Sequence, residues 1–352
     1  MENIKKIIHV DMDYFYAQVE EVENKNLKYI PVGIGGLYGD RGVLCTCNYI
    51  ARSYGIHSAI STLKALKLCP ELTLITPNFK KYKAVSDKVF KVFYKFTNKV
   101  QALSLDEAYL DVTDCDLFNN DAVMIAKEIK KLIFIETGLT ASAGVSYNKL
   151  LSKIGSELFK PDGLAVLRPQ DIENKIKHFP VSRISGVGKV TQKRMSKLGI
   201  KTFENLQCFS KLDLVNLFGN FGPTLYHYCR GVDQREVRTD RERKSVSVER
   251  TFREDLFNYE KILFHFKTEY MELSERLISH SDKSIKSLFV KIKFFDFSIC
   301  SIEKKGQASF ENFEKIFNEK VRNSEKPIRL IGLGVRFHSR KCEEQLMLPM
   351  AL

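Results

Sequence analysis

Through the first 169 residues, apolar runs of strand length alternate with stretches of helical periodicity. A chain ordered this way can bury its apolar faces only by layering helices on a sheet. Ile7–Met12, IIHVDM, reads as a short buried strand that closes on a carboxylate, Asp11. Residues 32–34 and 43–47 read as strands on either side of a Gly-rich turn, and residues 72–75 as a further strand ended by Pro77. Over residues 82–96 the apolar residues Val85, Val89, Val92, Phe93 and Phe96 recur at helical spacing. Two strands, 100–104 and 108–112, flank Leu105-Asp106-Glu107. An amphipathic helix follows, with Ala122, Ile125, Ala126, Ile129, Leu132 and Ile133 on one stripe. Then come a strand (140–145), a helix (149–159) and, beyond the Pro161-Asp162-Gly163 turn, the strand Leu164–Leu167. Strand, helix, hairpin, helix, strand is the split βαβ order of the ferredoxin-like fold.

The remainder changes character twice. Residues 170–233 are short helical stretches punctuated by Gly186, Gly188, Gly199, Gly219, Gly222 and Gly231, the pattern of a small all-helical domain. Residues 234–246 are charged and nearly free of apolar side chains, which reads as a linker. Beyond it a strand, a helix (261–278), two strands (287–294 and 298–303), a helix (310–321) and a strand (328–337) repeat the ferredoxin-like order without repeating the sequence. Residues 338–352 form a polar tail with one apolar cluster. At 352 residues the chain has room for several domains, and its fold class is α+β.

Charge divides along the same lines. The formal net charge is +13, but residues 1–169 carry 22 basic and 19 acidic side chains, and residues 170–341 carry 34 and 22. A chain this basic pairs with a polyanion, most commonly nucleic acid. The near-neutral first half is expected to do chemistry and the basic second half to grip. No apolar run is long enough to span a bilayer, and the start is too short and too acidic for a signal peptide. The eight cysteines are scattered, as befits reduced thiols in a cytoplasm rather than a disulfide framework or zinc site.

Asp11 at a strand end and Asp106-Glu107 in a hairpin raise the question of a shared site. Three carboxylates in one space repel unless cations neutralise them. Mg²⁺ suits such a site because it takes carboxylate oxygens and keeps positions for water and phosphate. Two such ions would clamp the attacking and leaving oxygens of a phosphoryl transfer. Spacing alone does not separate Asp11 from Asp13, or Asp106 from Asp111. Each of these acids also has the ordinary reading of a cap or turn residue.

The text around the acids is more specific. Ile8-His9-Val10-Asp11-Met12-Asp13-Tyr14-Phe15-Tyr16-Ala17-Gln18-Val19-Glu20 and Ser104-Leu105-Asp106-Glu107-Ala108-Tyr109-Leu110-Asp111-Val112 resemble the Y-family DNA polymerases. Within that family the resemblance is to the bacterial DNA polymerase IV (DinB-type) translesion branch. Asn48-Tyr49-Ile50-Ala51-Arg52, Gly144-Val145-Ser146, Lys149, Lys153, Phe159-Lys160-Pro161-Asp162-Gly163, Gly186-Val187-Gly188 and Lys244-Ser245-Val246 extend it in order along the chain.

The resemblance implies a multidomain right hand. Its parts would be a ferredoxin-like palm (1–12 and 77–169), small α/β fingers (13–76) and an all-helical thumb with a helix-hairpin-helix (170–233). The linker (234–246), a ferredoxin-like little finger (247–341) and the tail (342–352) complete it. By the same resemblance Asp11, Asp106 and Glu107 are catalytic and hold two Mg²⁺ ions together with the Met12 carbonyl. Asp13 and Asp111 keep the ordinary reading. Tyr49, Arg52 and Lys160 would hold the β- and γ-phosphates of a deoxynucleoside triphosphate. The backbone around Phe15 would add a cradle, and Tyr16 would exclude a ribose 2′-hydroxyl. Val43 and Cys45 would roof the base pair.

Primer-template DNA would be gripped by Gly186, Gly188 and Lys189 of a helix-hairpin-helix and by Arg250, Arg329 and Arg336. Gln345, Leu346 and Leu348, within residues 345–350, resemble a sliding-clamp-binding peptide, with Pro349-Met350 where that peptide usually carries an aromatic. The expected protein is a monomeric, low-fidelity translesion polymerase without a proofreading exonuclease, serving DNA repair and damage tolerance. A two-metal nuclease would explain the acids and the grip but not Tyr16, Tyr49, Arg52 or Lys160. A decayed DNA-binding scaffold would have lost the acids that this chain keeps.

Overall fold

The computed structural model describes residues 4–36, 41–240, 242–321 and 326–338. They form two compact units, one of residues 4–36 and 42–240, the other of residue 41 and residues 242–321 and 326–338. In chain order the first unit runs β1 (Ile7–Met12), α1 (Phe15–Glu23), β2 (Val32–Gly35), β3 (Leu44–Cys47), α2 (Tyr49–Ser53), α3 (Thr62–Leu68) and β4 (Thr73–Ile75). It continues with α4 (Phe79–Phe93), β5 (Val100–Ala102), β6 (Glu107–Asp111), α5 (Ala122–Thr137), β7 (Ala141–Ser146), α6 (Lys149–Leu158) and β8 (Leu164–Leu167). Five helices close it: α7 (Pro169–Ile176), α8 (Lys189–Lys197), α9 (Phe203–Gln207), α10 (Lys211–Phe218) and α11 (Gly222–Tyr228).

The main sheet has the order β5-β6-β1-β7-β8, with β1 antiparallel to both neighbours. Period-two alternation splits β1 between two layers. Ile8, Val10 and Met12 enter a core with Tyr82, Val89 and Phe93 of α4 and Ile125, Ala126 and Ile129 of α5. His9 faces the other way, its Nδ1 lying 2.8 Å from Ser156 Oγ of α6. Helix α5 begins where the Asp121 carboxylate accepts from the Val123 and Met124 amides and ends at Gly138, whose φ of 70° a side chain would strain.

Helix α6 sits unusually deep on the sheet. A Cβ built on Gly144 of β7 would lie 2.0 Å from the Ser152 carbonyl oxygen and 2.4 Å from the Ser156 nitrogen. Only glycine lets strand and helix backbones meet there, and this approach carries Lys153 and Ser156 to the end of β1.

A second sheet, β3-β2-β4, packs on Leu44, Ala51, Ile56, Ile60 and Leu72. Asn48 joins it to its surroundings: its side chain accepts from the Val32 and Ala51 amides and donates to Glu21 and the Ile30 carbonyl. The closing helices enclose Met195, Phe203, Leu206, Leu214 and Leu225. Residues 234–240 and 242–244 carry neither helix nor strand.

The second unit runs β9 (Ser245–Leu256), α12 (Tyr259–Ile278), β10 (Ile285–Phe294), β11 (Ile299–Lys304), α13 (Phe310–Val321) and β12 (Ile328–Phe337). Phe266, Phe313 and Phe317 of its helices pack against Leu288, Val290, Leu333 and Val335 of an antiparallel sheet. The order of elements matches that of the first unit, yet the strand order is β11-β10-β12-β9, with the last strand rather than the first inside. No helix among the described residues is long and apolar enough to cross a membrane.

Candidate active site

The register of the sheet assembles the acids. Asp11 of β1 stands directly opposite Glu107 of β6, and the Met12 amide donates to the Asp106 carbonyl at 2.9 Å. Two like charges on facing strand positions repel, and here each is met by a cation. Lys160 Nζ lies 2.6 Å from Asp11 Oδ1, and Lys153 Nζ pairs with Glu107. His9 Nε2 stands 3.4 Å from Glu107 Oε2, a long electrostatic contact, and the Ser104 hydroxyl donates to Asp106. Burial pushes the Asp11 carboxyl up against the pull of Lys160. The His9 ring and the Lys153 ammonium hold Glu107 down to about 2 despite burial. Burial itself lowers the His9 pKa, which favours the neutral ring. With the acids turned onto lysines, no three acidic, histidine or cysteine side chains among the described residues are gathered tightly enough to enclose an ion.

The other nucleotide-site candidates surround this end of β1. Tyr49 opens α2, with the Arg52 guanidinium 4.9 Å over its ring and Tyr14 edge-on at 4.9 Å. The buried Tyr49 hydroxyl has no hydrogen-bond partner, and burial together with the charge of Asp13 pushes its pKa up to about 12. Tyr16 lies flat on Tyr82, ring centroids 4.4 Å apart and planes 12° apart. Burial, then the charge of Asp106 and a smaller electrostatic effect of Cys45, raise the Tyr16 pKa. Phe15 is buried as the first residue of α1, a helix whose N-terminus no side chain caps. Val43 is exposed beside the sheet and Cys45 half-buried within it.

Gly186, with φ of 98°, and Gly188, the uncapped residue before α8, lead into Lys189 as a hairpin requires. The Phe221 ring packs over Gly186, 3.1 Å from where a Cβ would stand. Arg250 shares its side of β9 with Val248 and Phe252, and pairs with Glu269 and Glu272 of α12. Arg336 pairs with Glu303 at 2.9 Å, and Arg329 stacks 4.6 Å over Phe297. The peptide of Gln345, Leu346 and Leu348 lies outside the described residues.

Two features escaped the sequence reading. His9 was only a letter in a strand until the sheet placed it beside Glu107. Asp13, given the ordinary reading, is fully buried and accepts from Thr140, Ser142 and the Asp162 amide. Asp111 does accept from its own turn, at the Thr113 amide and hydroxyl.

The impB/mucB/samB family model matches residues 10–157, its C-terminal-domain model residues 243–348, and a model described as the DNA polymerase-iota thumb domain residues 182–233. The fold is similar to a Y-family DNA polymerase chimera of Dbh and Dpo4, with a TM-score of 0.85, 27% identity, and coverage of 94% of this chain and 98% of that one. Fold, site and matches together define a DNA-directed DNA polymerase. Proteins named DNA polymerase IV are similar over nearly their whole length. The one from Francisella tularensis subsp. holarctica is 46% identical over 337 residues, covering 96% of this chain and 97% of that one. The one from Mannheimia succiniciproducens is 42% identical over 354 residues, covering 99% and 100%. The chain belongs to the Y-family DNA polymerases, in the DinB-type branch of translesion DNA polymerase IV.

Proposed function

We propose that the chain extends primer 3′ ends by two-metal phosphoryl transfer, with low fidelity and without proofreading. The observation that carries this is the facing pair Asp11 and Glu107 with Asp106 one residue away, at the strand end where Tyr49 offers an unpartnered hydroxyl. The donor set fits Mg²⁺: Asp11, Asp106 and Glu107 supply hard carboxylate oxygens, and Met12 a backbone carbonyl. Two bound Mg²⁺ ions would supply charge stabilisation for the attacking and leaving oxygens.

The chain's own groups do the rest. Lys160, Tyr49 and Arg52 take the β- and γ-phosphates of the incoming deoxynucleotide, and the first-turn amides at Phe15 and Tyr16 of α1 add a cradle. Lys160 already neutralises Asp11 at 2.6 Å, so its charge lies at the boundary between acids and phosphates. Tyr16 fills the place of a ribose 2′-hydroxyl, while Val43 and Cys45 bound the base pair loosely. Residues 1–12 and 77–169 act as palm, 13–76 as fingers, 170–233 as thumb, 234–246 as linker and 247–341 as little finger. The thumb grips DNA at Gly186, Gly188 and Lys189, and the little finger at Arg329 and Arg336. Residues 345–350 of the 342–352 tail engage a sliding clamp.

Asp106→Ala tests the reading. Primer extension with Mg²⁺ and the four deoxynucleotides should fall by about 10²–10³-fold or more, because removing one preorganised charge-stabilising group costs about 10²–10³ in rate. The dissociation constant for primer-template DNA should stay within about twofold. An Asp106→Ala protein that still extends primers would overturn the assignment.

A further inference from the structure

We propose that Asp13 is a positioning residue for the nucleotide site, holding the 160–163 turn so that Lys160 stays at the acids. The inference rests on the reading of Lys160 as a phosphate-binding group.

The side chain of Asp13 is fully buried. A polar side chain buried this fully is costly unless its oxygens find hydrogen-bond partners. Three donors supply them: Thr140 Oγ1 at 2.8 Å from Oδ2, Ser142 Oγ at 2.8 Å from Oδ1, and the Asp162 amide at 2.8 Å from Oδ2. The first two come from β7 or its entry, and the third from the turn that follows Lys160 and Pro161. Asp13 thus ties the end of β1 to the turn across the sheet.

The turn needs a fastening. Asp162 has φ of 53°, the left-handed region that a residue with a Cβ adopts only when its surroundings compel it. Besides the Asp13 contact, the Gly163 amide donates to Ser142 Oγ at 3.1 Å, and the Gly163 carbonyl accepts from Ala143 at 3.0 Å. Lys130 of α5 donates to the Asp162 carbonyl at 2.5 Å and pairs with its carboxylate at 3.0 Å. A Cβ on Gly163 would lie 2.1 Å from the Phe159 carbonyl oxygen, so the turn folds back tightly on the residue just before Lys160. Without Asp13 the amide of Asp162 loses its buried acceptor, the strained backbone relaxes, and the root of the Lys160 side chain moves.

A double-mutant cycle tests this, because two residues acting through one group are non-additive. Asp13→Ala, Lys160→Ala and the double variant are compared by kcat and KM for the incoming deoxynucleotide, by DNA dissociation constant, and by urea midpoint. Lys160→Ala should raise KM about tenfold or more. Asp13→Ala should raise it comparably at unchanged DNA affinity, and the double variant should match Lys160→Ala alone within about twofold. Asp13→Asn should recover most of the loss, since its amide oxygen still accepts from Asp162 while Ser142 Oγ accepts from its nitrogen. If Asp13→Ala does not fold, Ser142→Ala takes its place, removing one donor to Asp13 and the acceptor of Gly163. An unchanged KM in Lys160→Ala would refute the phosphate role of Lys160. A KM effect of Lys160→Ala with multiplicative effects in the cycle, or with Asp13→Ala altering only the urea midpoint, would refute the positioning role of Asp13.

Discussion

Tyr16 and Tyr82 form a stacked pair whose lower ring is fixed: the Tyr82 hydroxyl donates to Glu20 at 2.6 Å and the ring is fully buried. Phe79 adds a perpendicular contact to the upper ring, centroids 5.9 Å apart. A ring held this rigidly discriminates by excluding volume, a negative device that costs the correct substrate nothing. Tyr16→Ala should therefore raise ribonucleotide relative to deoxynucleotide incorporation by at least about tenfold, some 1.4 kcal/mol of lost discrimination. Competition assays with paired ribo- and deoxynucleotides would measure it, and an unchanged ratio would remove the role. At this scale the sequence was legible where the family text spoke and silent where burial decided. Tyr16 stands in a motif. The importance of Asp13 comes from Thr140, Ser142 and Asp162, which lie more than a hundred residues away, and no local spacing encodes that.

Among elements, the seat of α6 on β7 sets the site. Periodicity located both elements within a residue or so. Their depth of contact depends on the absence of a methyl group at Gly144, which no periodicity reports. Strand order was similarly open: one succession of elements closes with β1 inside in the first unit and with β12 inside in the second. Gly144→Ala should drive α6 outward and cost about 1–3 kcal/mol, the usual range for overpacking a tight contact. The urea midpoint would register that cost. Activity should fall further than stability explains, because Lys153 and Ser156 ride on α6 to Glu107 and His9. A variant with unchanged midpoint and unchanged rate would mean that the strand–helix approach is not what positions the site.

For the whole molecule, the basic excess of residues 170–341 overstates what DNA can use. Arg250 pairs with Glu269 and Glu272, and Lys291 meets both Glu249 oxygens at 2.9 Å. Affinity for primer-template should fall with salt by about 0.9 log units per decade for each phosphate neutralised. If Arg329 is such a contact, Arg329→Ala should lower that slope by about one. Arg250→Ala should leave the slope nearly intact and instead destabilise the fold by about 1–3 kcal/mol, because it strands the buried carboxylate of Glu269. Deleting 345–352, a segment with no Lys or Arg, should also leave the slope intact while abolishing clamp-stimulated synthesis. Titrations at several salt concentrations, run beside urea melts and clamp-stimulation assays, separate these effects. A slope that drops for Arg250→Ala but not for Arg329→Ala would reverse the assignment, making the ion pair to α12 a reserve that DNA opens.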